Sequence, residues 1–377
     1  MKIKAVIFSL AFLIVSTSVI AAADDNAGSQ RVTATAQLLA GLAPAPGDPV
    51  IDRLAAQDAF KEQHQWMETQ WSQVHSRLLS MEQWRTQELA SRNGQARTLI
   101  YPFSGPDFLN AYEMAPDYAR YVFFSLERPG ALPDLTAQNG AHFKQLLADV
   151  RGAFRDIFER NYFITDYMTK QLATPQLSGT VPIMTTMMAL LDLRIVRIEP
   201  VDLFPEQTRA YEKPGAVRPR KLMRGVRIDF VNPKLGRTQQ LYYFSLDASD
   251  KALEFYPGFL DWVGRQRPAT TFLKSASYLL HDNQFAKTRE MLLGSSDIVI
   301  QDDTGIPYRY LNHSPWQVRL YGRYAKPIKA LSYGYQPDLE SAYQKLQEAP
   351  ALAFPFGYHW RTQKSGIIVA VKEARTN

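Results

Sequence analysis

From residue 95 onward the sequence alternates short apolar runs with stretches of helical periodicity, and this alternation restricts the fold more than any other feature. Strands that alternate with helices form largely parallel sheets, because each crossover helix returns the chain to the same edge. Residues 98–103 and 119–126 read as buried strands, with a helix over 107–115 between them. Phe143, Leu146, Leu147, Val150, Phe154, Ile157 and Phe158 fall at the spacing of one helical face. A helix over 182–192 then feeds a strand at 194–201. Strict alternation in 225–231, a turn at 232–236 and a returning run at 238–246 predict a β-hairpin. A helix at 252–263 and strands at 270–274, 297–301 and 316–321 follow, then a helix at 337–347 and a closing strand at 366–371. The expected fold is α/β: a mixed β-sheet with helices on both faces and Rossmann-like elements, forming one domain over 95–377.

A long amphipathic helical segment over 48–94, one helix or two, precedes this domain. Asp48-Pro49 suits an N-cap followed by proline in the first turn, and Asn93-Gly94 suits a C-cap. Phe60, Met67, Trp71, Val74, Leu78 and Met81 make one apolar stripe, facing either the chain's own domain or a partner. Residues 24–47, small and polar and ending in Ala43-Pro44-Ala45-Pro46-Gly47, read as a flexible leader with one short helix at 35–42. At the start, Lys2 and Lys4, an apolar run over 5–20 and Ala21-Ala22-Ala23 form the pattern of a cleaved secretory signal; the alternative, an uncleaved membrane anchor, is disfavoured by a run at the short limit for spanning a bilayer and by Asp24-Asp25 after it. The expected location is periplasmic or secreted, with no transmembrane span in the mature chain.

Composition removes whole classes of chemistry. With 46% hydrophobic and 12% aromatic residues the chain can bury a large core, so disorder is excluded. With no cysteine it has no disulfide, thiolate metal site, iron–sulfur cluster or cysteine nucleophile. The net charge of +6 is mild for 377 residues and calls for no nucleic-acid partner. There is no G-x-S-x-G elbow, no Walker loop and no H-E-x-x-H, and Lys364-Ser365-Gly366 lacks the Ser-x-x-Lys a penicillin-binding enzyme needs. His64 and His75 share nearly one helical face, yet 11 residues at 1.5 Å rise separate them by roughly 16 Å, too far for one metal ion. The residues therefore call for no metal and no cofactor.

Several constellations remain. Tyr101-Pro102-Phe103-Ser104-Gly105-Pro106-Asp107 joins a strand to a helix, with Ser104 and Asp107 spaced as a capping box. The same strand–turn–helix junction can receive an anion or nucleotide, and Glu127, at the end of the next strand, stands where a ribose-binding acid would. This arrangement resembles the opening of a Rossmann-type methyltransferase, with one glycine where several are usual and prolines on both sides. Gln301-Asp302-Asp303-Thr304 follows another strand: carboxylates at a strand's carboxyl end can act as bases or bind ligands, and Asp-Asp-Thr-Gly is also ordinary turn chemistry. Lys274-Ser275-Ala276-Ser277-Tyr278 ends a third strand, and Asp302 or Asp303 is the expected partner of Lys274. Lys213, Arg218, Arg220, Lys221, Arg224 and Arg227 cluster before and into the hairpin, either as a solvated loop or as a phosphate-binding surface. The pairs Tyr308/Tyr310, Tyr321/Tyr324 and Tyr333/Tyr335 offer aromatic surface, for packing or for stacking on sugars.

The phrases Tyr101 to Leu109, Thr271 to His281 and Ile300 to Tyr308 together resemble a family of exported bacterial proteins of unknown function. The resemblance implies a bacterial, exported protein and carries no activity. Two functional readings stay open. The first is a non-catalytic envelope protein that binds a small anionic or saccharide ligand or a protein partner. The second is a hydrolase or transferase whose catalytic candidates are Asp107, Glu127, Lys274, Asp302 and Asp303. In either case Tyr101, Ser104, Gly105, Ser275, Ser277, Gln301 and Tyr308 are the candidate ligand contacts.

Overall fold

The computed structural model describes residues 28–89, 97–163, 170–219, 221–346, 349–358 and 364–373. The secretory-signal pattern, Asn93-Gly94 and Arg220 lie outside these residues. Nine strands form one mixed sheet: β1 (Thr98–Pro102), β2 (Arg120–Ser125), β3 (Arg194–Val201), β4 (Arg224–Asn232), β5 (Arg237–Ser245), β6 (Ala269–Leu273), β7 (Ser296–Gln301), β8 (Trp316–Gly322) and β9 (Gly366–Lys372). Their order across the sheet is β3-β4-β5-β2-β1-β6-β7-β9-β8. The inner five, β5-β2-β1-β6-β7, run parallel, while β3, β4 and β9 pair antiparallel with their neighbours. Counted in chain order, the parallel strands stand as 3-2-1-4-5, the order of doubly wound sheets.

Alternate residues of each inner strand enter opposite cores, which is why these strands are apolar throughout. Leu99, Tyr101, Tyr121, Phe123, Leu241, Tyr243 and Phe272 pack on one face under the helices α1 (28–39), α3 (Asp58–Glu88), α4 (Phe108–Met114), α5 (Gly140–Arg160) and α6 (Val181–Leu190). Ile100, Val122, Phe124, Phe244, Leu273 and Val299 pack on the other. Residues of α9 (Phe259–Gly264), α10 (Ala286–Ser295) and α11 (Pro337–Lys345) cover that side. Each of the larger side chains contributes about 1.5–3 kcal/mol when fully buried.

The leader differs from expectation. Residues 28–39 are a helix whose Ala36, Leu38 and Leu39 are fully buried, so from residue 28 the leader is structured. Ser29 and Thr33 donate to the Ile195 carbonyl at 2.9 and 3.0 Å, and the Ile195 amide donates to Thr33 Oγ1 at 3.1 Å, which caps edge strand β3. The segment from residue 48 divides into α2 (Pro49–Ala55), N-capped by Asp48, and α3. The stripe of α3 packs on α4 and α5 of its own domain. The region expected as one helix at 252–263 is two short ones, α8 (Asp250–Leu253) and α9, separated by Gly258 in the left-handed region. Helices α7 (Pro205–Glu212) and α10 had no counterpart in the sequence reading.

Candidate functional site

A cavity of about 630 Å³ opens where the carboxyl ends of β1, β2, β5 and β6 converge. The chain leaves β1 toward β2 on one side, and β6 adds on the other side of β1. Strand order therefore reverses at β1, and open α/β sheets place their ligands at such a reversal. Tyr101, Ser104, Gly105 and Asp107 line the crevice after β1, Ser125 and Glu127 after β2, Asp247 after β5, and Lys274, Ser275 and Ser277 after β6. Phe103 and Phe285, packed edge to face at 5.6 Å, give it one apolar wall.

The floor is an ion pair. Lys274 Nζ lies 2.9 Å from Asp107 Oδ2, and the two side chains are 1% and 3% exposed. The Asp107 carboxylate also caps α4 by accepting from the Asn110 amide, and it accepts from the Asn110 side chain and from the Tyr101 hydroxyl. Lys274 donates a further short bond to the Asn161 carbonyl. Burial, with the Asp107 charge adding to it, holds the Tyr101 phenol well above its ordinary range, so it stays a donor. Two expectations change here. Ser104 does not form a capping box: its hydroxyl donates to the Gly105 carbonyl, and Asp107 is itself the cap. Lys274 pairs with Asp107, because β1 and not β7 is the neighbour that delivers a carboxylate to its ammonium.

Asp302 and Asp303 stand behind the crevice and do not line it. Asp302 accepts from the Ser275 amide at 2.9 Å and from the amide and hydroxyl of Thr304, while Thr304 Oγ1 accepts from the Ala276 amide. Burial raises the Asp302 carboxyl above its ordinary range, against these bonds. Asp303 accepts a short bond from the Tyr278 hydroxyl. The Asp-Asp pair thus fastens the turn after β6. Gln301 is fully buried and holds the Ile306 amide and carbonyl, so it is structural. Tyr308 lies in a separate groove of about 430 Å³ along edge strand β8, with Val318, Leu320 and Leu346. Tyr308 and Tyr310 sit in a helical turn and do not form an extended pair.

Backbone geometry sets the turns after β1 and β6 apart. Phe103, Ser275, Ser277 and Tyr278 have φ between +54° and +59°, a region that costs a non-glycine residue about 1–3 kcal/mol. Asn161, whose carbonyl receives Lys274, has φ +66°. Of the crevice's charged residues, Glu127 is 8% exposed and accepts a short bond from Ser125, and no cation pairs with it among the described residues. Tyr162 and Tyr358, which sequence reasoning did not single out, also line the crevice, packed edge to face at 5.0 Å, with the Tyr358 hydroxyl on Ser277 Oγ. No three-residue group of His, Asp and Glu among the described residues has the geometry for a metal ion. No helix among them is long and apolar enough to cross a membrane. No family model, curated protein or solved structure matches the chain.

Proposed function

We propose that the protein binds a small hydroxyl-bearing molecule, a saccharide or nucleoside, in the crevice at the ends of β1, β2, β5 and β6. The observation that carries this reading is the Glu127 carboxylate, which lines the cavity at the end of the second parallel strand and forms no ion pair among the described residues. A carboxylate at this place in a doubly wound sheet accepts from sugar hydroxyls. The apolar wall of Phe103 and Phe285 fits the carbon face of a sugar or a base. A strongly anionic ligand is disfavoured, because Asp107 already occupies the start of α4 and Lys274 is neutralised by the same carboxylate.

Calorimetric titration with glucose, maltose, cellobiose, adenosine and uridine tests the reading. At least one should bind, and Glu127→Gln should weaken it by about 10-fold or more, the range for a hydrogen bond to a charged group. Equal affinity in wild type and variant, or no binding across the panel, would overturn the assignment.

A group-transfer activity is the second reading, favoured by the ion pair on the crevice floor. Replacing a buried pair with apolar residues is often neutral or stabilising, so holding one at a ligand site is more useful to chemistry than to stability. Turnover of a bound sugar or nucleoside that disappears in Lys274→Met would support it. Export rests on the apolar run over 5–20 and the alanines after it, and a mature N-terminus at Asp24 would support that.

A further inference from the structure

Ser275 has three properties that its place in the fold alone does not require. Its φ is +54°, in the left-handed region. Its amide is clamped by Asp302, whose carboxylate is pressed so closely by Gly357 that a Cβ there would come within 2.2 Å of Oδ2. Its Oγ is buried at the crevice wall with no hydrogen-bond partner among the described residues. A buried hydroxyl without a partner costs about 1–3 kcal/mol, and the strained backbone that presents it costs a similar amount.

The strand register sets its distance from Glu127. Phe124 of β2 pairs with Pro102 of β1. On the other side Ile100 pairs with Thr271, which puts Leu273 level with Pro102. The chain therefore leaves β2 and β6, toward Glu127 and Ser275, at nearly the same height, one strand to either side of β1. Adjacent strands lie about 4.8 Å apart, so the ends of β2 and β6, from which the turns carrying Glu127 and Ser275 enter the one cavity, stand roughly 10 Å apart. A monosaccharide ring, about 5 Å across, does not reach both; a nucleoside or a disaccharide does.

We propose that Ser275 Oγ is the second polar contact of the crevice, and that the ligand is an elongated molecule with hydroxyls at Glu127 and a polar group roughly 10 Å away at Ser275. This rests on the reading of the crevice as a hydroxylated-ligand site. Ser275 is here a specificity-determining residue: it favours two-ring ligands over one-ring ligands.

The test compares wild type, Ser275→Ala and Glu127→Gln in calorimetric titrations with glucose, maltose, cellobiose, adenosine and uridine. Ser275→Ala should weaken a nucleoside or disaccharide that binds by about 3- to 10-fold, the range for one neutral hydrogen bond, and leave the glucose affinity unchanged. Ser275→Gly, which removes the same hydroxyl and relieves the left-handed backbone, should lose the same affinity while raising Tm by about 2 °C. If Ser275→Ala binds every ligand as wild type does while Glu127→Gln does not, this proposal falls and the crevice reading stands. If Glu127→Gln also binds normally, or wild type binds nothing in the panel, both fall.

Discussion

Both carboxylate oxygens of Asp302 are engaged inside the protein, and Gly357 leaves no room beside them. Gly357 has φ +74°, so Gly357→Ala meets both a clash and a strained backbone; it should lower stability by about 2–4 kcal/mol in urea unfolding. The neighbouring Asp303 has a different signature. Burial, with the Asp302 charge second, pushes its carboxyl up to about 7, against about 3.9 in an unfolded chain. The folded protein therefore keeps a proton that the unfolded chain releases, so this stabilising contribution is complete below about pH 4 and lost as pH rises through about 7. Urea unfolding at pH 5 and 8 should show the wild type weaker at pH 8 and a smaller difference in Asp303→Asn. Some difference remains, because burial raises Glu113 to about 7 as well. For the floor pair, Lys274→Met should cost about 3–5 kcal/mol by stranding Asp107, and adding Asp107→Asn, which keeps an N-cap acceptor, should restore much of it. The sequence singled out Lys274 as a partner for an acid but misidentified which one: β6 has a carboxylate beyond the end of each neighbour, and those after β7 are taken up by the Ser275 amide, Thr304 and Tyr278.

Helix α1 shows what composition hides. Its alanines, glycine and threonines read as a leader, yet small side chains let the helix lie close against the edge of β3, where Ser29 and Thr33 take up the Ile195 backbone beside a register shift. The combined Ser29→Ala and Thr33→Val variant should lose about 1–3 kcal/mol in chemical unfolding and aggregate sooner on heating, because an uncapped edge strand offers free peptide groups. The hairpin β4–β5 was legible almost to the residue, since alternation has a single structural meaning when one face is buried. Helix α7 was not, because it buries no residue and so carries no stripe. Helix α10 was missed for a related reason: its buried positions include Thr288 and Arg289, which hydrogen-bond neighbouring carbonyls and do not read as core.

Over the whole molecule, the alternation of strands and helices was enough for the class of fold, and the apolar character of the strands was enough for coverage on both faces. The order 3-2-1-4-5 was not legible, because it depends on which way each crossover turns, and no local pattern records that. The candidate crevice was accordingly legible only in part. Asp107, Glu127, Lys274, Ser275 and Ser277 share one crevice, whereas Gln301, Asp302, Asp303 and Tyr308 lie behind or away from it. Helix α3, 31 residues and about 46 Å long, crosses this architecture from end to end. Near its start Gln63 and His64 hold the carbonyls of Leu39, the last residue of α1, and of Gly41; near its end Trp84 packs on Tyr321 of β8, and Glu88 accepts from the Tyr321 hydroxyl at 2.6 Å. The rod is thereby fastened at both extremities to parts of the chain far apart in sequence. Two separately expressed pieces, one ending at Leu89 and the other starting at Arg97, should reassemble when mixed and elute together in gel filtration. Either piece alone, having lost the surface that completes it, should remain unfolded.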